Sequence, residues 1–209
     1  STLSLNDVSV LTGDLNLTVN SNNNLDVGNI NVGTGVVKLK STSGNLSLRK
    51  GVGASQFIAS SVTLNAFNDV EILDDVNVSG GLNINAGDDV LLEANVTTAG
   101  QVSIRTNVGS SGASKDGLAE LTMAAGTTLD AGDAGITFIT EGDILLSVLK
   151  SSAGAINLTS TAGSINETVN DASDNIITTG LVTLSGLTGV GNLSTLDLGG
   201  VSRLALTAQ

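Results

Sequence analysis

Cysteine, histidine, proline, tryptophan and tyrosine are all missing from this 209-residue chain. Without cysteine there are no disulfides and no thiolate metal sites. Without histidine the commonest general base and zinc ligand is gone. Aromatic residues amount to Phe57, Phe67 and Phe138, far short of what an ordinary globular core uses. All three fall at apolar slots and are expected in the core. Cations are scarce too, with 8 Lys and Arg against 20 Asp and Glu and a net charge of -12. That balance disfavours nucleic acid and anionic membrane surfaces, which require basic patches. No apolar run approaches the roughly 18 residues of a membrane-spanning helix. The longest, 144–149, is broken by Ser147, so no membrane insertion is expected.

What the chain does have is glycine, 26 residues of it, and aliphatic side chains in a repeating pattern. Residues 62–81 and 82–101 are two copies of one twenty-residue unit. Val62 matches Leu82, Leu64 matches Ile84, Val70 matches Val90, Ile72 matches Leu92, and Val76 matches Val96. The pattern restarts at Val102 and Ile104, returns at Ile136 and Phe138, and repeats at Ile156 and Leu158. Each unit holds short aliphatic-x-aliphatic runs separated by Gly, Asn and Asp, residues that suit tight corners. Alternation within a run sends two side chains to one face and one to the other. Three such strands and three corners in about twenty residues make one coil of a solenoid. The expected fold is all-β: a right-handed parallel β-helix with about 20 residues per coil. A propeller would need blades of roughly 40 residues or more, with aromatic signatures.

The earlier part of the chain agrees. The intervals from Leu15 to Val37 and from Leu25 to Leu46 are both close to the later repeat length. Residues 1–209 thus read as a single solenoid segment, with loop insertions near 49–61, 105–120 and 166–175. Phase is expected to be lost after Leu121-Thr122-Met123 until Ile136. The chain begins and ends within a pattern, so a fragment of a longer protein, or the subunit of a fibre, is expected.

The runs GDLNLTV (13–19), GNLSL (44–48), GLNINAGDDVLLEA (81–94), GDILL (142–146) and GAINLTSTAGSI (154–165) resemble filamentous haemagglutinin-type repeats. The resemblance implies a large bacterial adhesin at the cell surface or secreted outside the cell. It implies a shaft or fibre without enzymatic activity. No cofactor is expected, calcium apart. The expected partners are other copies of the chain, meeting end to end or laterally, and a glycan or protein on a host or neighbouring cell.

Three aspartates, Asp69, Asp89 and Asp143, fall at one slot of the repeat. Stacked carboxylates about one strand spacing apart repel, and a bound cation such as calcium would relieve that repulsion. The competing reading is that they are corner residues bonded to nearby backbone amides. Paired carboxylates also raise an alternative function, a carbohydrate-active β-helix acting as a polysaccharide lyase or glycan-binding module. Acid–base work on sugars needs two carboxylates at a defined separation. The basic residues look scattered, with no Lys/Arg–Asp cluster in one phase. The polar slots between ladder residues hold Thr63, Asn83, Ser103, Thr137 and Asn157. At Leu91-Leu92 and Leu145-Leu146 two consecutive aliphatics cannot share a face, so Leu91 and Leu145 are expected to point outward.

Overall fold

Parallel pairing of every strand with its counterpart one coil away generates the architecture. The computed structural model describes residues 2–10, 12–19, 24–49, 57–108 and 117–208. These form a β-solenoid of about eight coils of about 22 residues, with no helix. Each complete coil contributes one short strand to each of three faces.

The first face stacks Leu46–Leu48, Val70–Ile72, Val90–Leu92, Leu121–Met123, Ile144–Leu146, Ser164–Glu167 and Gly189–Val190. The second stacks Phe57–Ala59, Val76–Val78, Val96–Thr98, Thr128–Asp130, Val148–Lys150, Ile176–Ile177 and Leu198–Gly199. The strand Asn24–Asn31 runs straight across both, and Thr2–Ser9 pairs along its length. The third face has nine strands: Leu15–Val19, Val36–Ser41, Ser61–Asn65, Leu82–Asn85, Val102–Arg105, Ile136–Thr140, Ile156–Ser160, Leu181–Gly186 and Arg203–Ala208.

The register is the one that the sequence repeat dictates. Leu82 pairs with Val62 and with Val102, and Ile84 pairs with Leu64 and with Ile104. Val90 pairs with Val70 and Val96 with Val76. Identical slots therefore stack into ladders that fill the interior. Val37, Val62, Leu82, Val102, Ile136, Ile156 and Val182 form one, each at most 1% exposed. Phe138 sits fully buried between Ile104 and Leu158, and Phe57 is also in the core. Each aliphatic side chain so buried contributes on the order of 1.5–3 kcal/mol by removal from water.

The coils are less uniform than a strict twenty. Val37 pairs with Val62, Val102 with Ile136 and Ile156 with Val182, each across an interval longer than the repeat of 62–101. Each of these longer intervals contains one of the three expected insertions. Within the first, Phe57–Ala59 and Ser61–Asn65 are strands, and residues 50–56 lie outside the described residues. Arg105 belongs to a strand, and 109–116 lie outside the described residues. Asn166 and Glu167 close a strand, leaving 168–175 as loop. Phase is regained earlier than expected, because Leu121 pairs directly with Val90. The apparent slip up to Ile136 comes from longer corners on either side of Thr128–Asp130, not from a broken coil.

At the corner leading into the third face, coils approach too closely for side chains. A Cβ on Gly100 would lie 2.6 Å from the carbonyl carbon of Gly80, a separation that only glycine relieves without backbone movement. The third phenylalanine, Phe67, is not in the core. It is half-buried at a corner, where the neighbouring Ala66 takes the interior slot.

Interior positions that break the aliphatic rule mostly hold hydroxyls, such as Thr98, Thr140 and Ser160, but one holds a carboxylate. Glu167 pairs in register with Leu146, is 3% exposed, and has no hydrogen-bond partner for either carboxylate oxygen. A buried acceptor left unsatisfied costs about 1–3 kcal/mol. Glu167→Met, similar in length and apolar, is therefore expected to raise the melting temperature in thermal denaturation. Ile84→Ala, at the centre of a ladder, is expected to lower stability by about 2–5 kcal/mol. Unchanged melting at both positions would refute the ladder as the source of stability.

Candidate functional site

Two surfaces concentrate polar chemistry: the corner between the third and first faces, and the outward side of the third face. At the corner, side-chain oxygens clasp one coil to the next. Asn24 Oδ1 accepts from the Asn45 amide at 3.1 Å, and Asn45 Nδ2 donates to Asp69 Oδ2 at 2.8 Å. Asp69 Oδ1 accepts from the Asp89 amide at 3.2 Å, and Asp89 Oδ1 from the Glu120 amide at 2.8 Å. Asp143 Oδ1 accepts from both the amide and the hydroxyl of Ser164, at 2.6 and 2.9 Å. Asn and Asp are the residues whose short side chains reach backbone amides in this way.

The three aspartates thus lie along one edge, as the repeat predicts, but not as three consecutive rungs. Asp69 and Asp89 are neighbours. Glu120 occupies the rung between Asp89 and Asp143, since Val90 donates to the Glu120 carbonyl and Leu121 to that of Asp143. The longer coil hides this in the sequence. Asp69, Asp89, Glu120 and Glu71 line an open concavity of about 190 Å³, with Leu91 on its wall. Glu71 Oε2 accepts from the Ser47 hydroxyl at 2.6 Å. Leu91 and Leu145 do point outward and are half-buried, while Leu92 and Leu146 are fully buried.

A second edge uses the same device, and there the acid is optional. Asp75 Oδ1 accepts from the Asn95 amide, and Asn95 Oδ1 in turn accepts from the Thr128 amide, both at 2.9 Å. Asn175 Oδ1 accepts from the Asp197 amide at 2.9 Å. Carboxylate and carboxamide oxygens serve alike, so the slot selects an acceptor rather than a charge. Among the described residues, no group of three or more His, Cys, Asp or Glu side chains is arranged to hold a metal ion.

The third face is different in kind. None of its nine strands contains Asp or Glu. Its outward columns carry Thr63, Asn83, Ser103, Thr137 and Asn157 in one register, and Lys40, Asn65, Asn85 and Arg105 in the next. Asn85 Nδ2 donates to Asn65 Oδ1 at 2.9 Å. Half of the chain's eight basic residues (Lys38, Lys40, Arg105 and Arg203) lie on these strands. Sequence inspection missed this convergence, although the signal was present: each is offset by one from a ladder residue. Two open concavities indent the face. One of about 500 Å³ is lined by Thr63, Asn83, Gln101, Ser103 and Arg105 among others; one of about 410 Å³ is lined by Lys40, Asn65, Phe67 and Val108 among others. Asn85 lines both.

No described helix is long and apolar enough to cross a membrane. Comparison with family models, curated proteins and solved structures found no match.

Asp89→Asn is expected to change stability by less than about 0.5 kcal/mol, and Asp89→Ala to cost about 1 kcal/mol, because only the latter leaves the Glu120 amide without its acceptor. Thermal melts of the three proteins check this. Calcium added to the wild type is expected to leave the midpoint unmoved. A rise that Asp89→Asn abolishes would instead establish the cation slot.

Proposed function

We propose that the chain is a shaft segment of a bacterial surface or extracellular adhesin of the filamentous haemagglutinin type, structural and adhesive rather than enzymatic. The observation that carries this reading is the uninterrupted stack of parallel coils, whose interior is sealed by aliphatic ladders from Leu25 to Leu184. Such a stack gains stability by adding neighbours rather than by enlarging a core, which suits a long, thin element. The repeated Gly-x-aliphatic-x-aliphatic runs supply the link to that family.

Self-association end to end draws on the stacking itself. Leu204 and Leu206 continue the ladders of Val182 and Leu184, so any coil that pairs in the same register, from this chain or from another copy, would lengthen the stack.

The alternative, a carbohydrate-active β-helix, draws on the four carboxylates around the 190 Å³ concavity. Against it, those at the corner bond backbone amides, and the cations of the third face stand apart from them. Arg49 and Lys150 pair with Asp26 and Asp130 on the other faces.

Electron microscopy with X-ray fibre diffraction tests the shaft. Rods longer than the roughly 38 Å that eight coil steps span, with an axial reflection near 4.8 Å, are expected. Leu206→Glu, which sets a charge in an interior ladder of the last described strand, is expected to shorten them. Monodisperse short particles from the wild type would count against end-to-end assembly, and turnover of a polysaccharide against the non-enzymatic reading.

A further inference from the structure

A chain with a net charge of -12 would be expected to scatter acids over every exposed face, yet the third face has none in any strand. What it presents is an array of amides and hydroxyls with cations among them. Lys40 and Arg105 share one outward column and are separated by Asn65 and Asn85. Three coil steps set them roughly 14 Å apart. The Asn85–Asn65 side-chain bond orients the amides between them. Neither Lys40 nor Arg105 forms an ion pair among the described residues, whereas Arg49 and Lys150 do. Asn85 lines both concavities, so the face carries a groove in two parts, with Arg105 in one, Lys40 in the other, and Phe67 beside Lys40.

We propose that this groove binds an acidic polysaccharide of the uronate class, lying along the solenoid axis. The recognition follows from the lining. Side-chain amides and hydroxyls repeat at the strand spacing and meet the repeated hydroxyls of an extended sugar chain. The two cations take well-separated carboxylates by charge-assisted hydrogen bonds. Phe67 offers an apolar surface to a sugar ring. Nucleic acid fits poorly, because duplex DNA packs a charge about every 1.7 Å and meets only a few cations on an otherwise acidic rod. The proposal names a partner for the adhesive shaft and rests on that reading.

The test is titration of the whole 209-residue chain with alginate oligomers, with neutral dextran and duplex DNA as comparators. Lys40→Gln and Arg105→Gln are each expected to weaken alginate binding roughly fivefold, in line with exposed charged contacts. Lys150→Gln, the same change of one charge on the second face, is expected to leave binding unaltered. Circular dichroism verifies that each variant folds. Absence of alginate binding overturns the proposal. So does an equal effect of Lys150→Gln, which marks general electrostatics, or displacement of alginate by DNA at similar concentration. Rods that bind no alginate remove this proposal and leave the shaft standing; alginate binding by particles that never assemble does the reverse.

Discussion

Everything in this molecule depends on the parallel backbone hydrogen bond from one coil to the next. Its spacing is fixed at about 4.8 Å, so whatever occupies a slot in one coil lies directly against the same slot in the next. Aliphatic slots become ladders, corner slots become columns of Asn and Asp, and outward slots become rows of Thr, Asn and Ser. Such a stack needs no large aromatics. Only Phe57 and Phe138 enter its interior, and the layers are thin enough for Val, Leu and Ile to fill. Glycine is demanded where consecutive corners nearly touch, as Gly100 does against Gly80.

The corner clasps solve a second problem. Strands of three residues carry few ladder bonds each, and the corners expose amides that the ladder does not reach. Asp69, Asp89, Asp75 and Asn95 accept those amides across coils. Acidity at the corners is thus partly a by-product of the need for short acceptors. Loops enter at corners without disturbing the register beyond them, and for this reason Ile136 still pairs with Val102 across a coil enlarged by an insertion.

The repeat of 62–101 was legible because its intervals are uniform, and its pairings appear residue for residue in the stack. Legibility failed wherever an insertion changed the count. Leu121 looked out of phase though it pairs with Val90, and Glu120 went unnoticed between Asp89 and Asp143. Phe67 was misassigned because hydrophobicity alone cannot tell which of two adjacent apolar residues, Ala66 or Phe67, turns inward. The third-face cations were the largest omission. Lys40 and Arg105 are distant in the chain but only three coil steps apart in the stack, a nearness that emerges only after the whole register is counted.

Because acids gather at the corners and none enters the third-face strands, the solenoid is electrically lopsided across its width. A rod with such transverse polarity has a preferred roll angle as well as a preferred axis. Near any charged boundary it experiences a torque about its own length, which turns the acid-free side toward negative surroundings and the clasped corners away. Neighbouring rods in a layer would inherit the same roll, so that a single sequence property, the phase of its charges relative to its ladders, orients the layer as a whole.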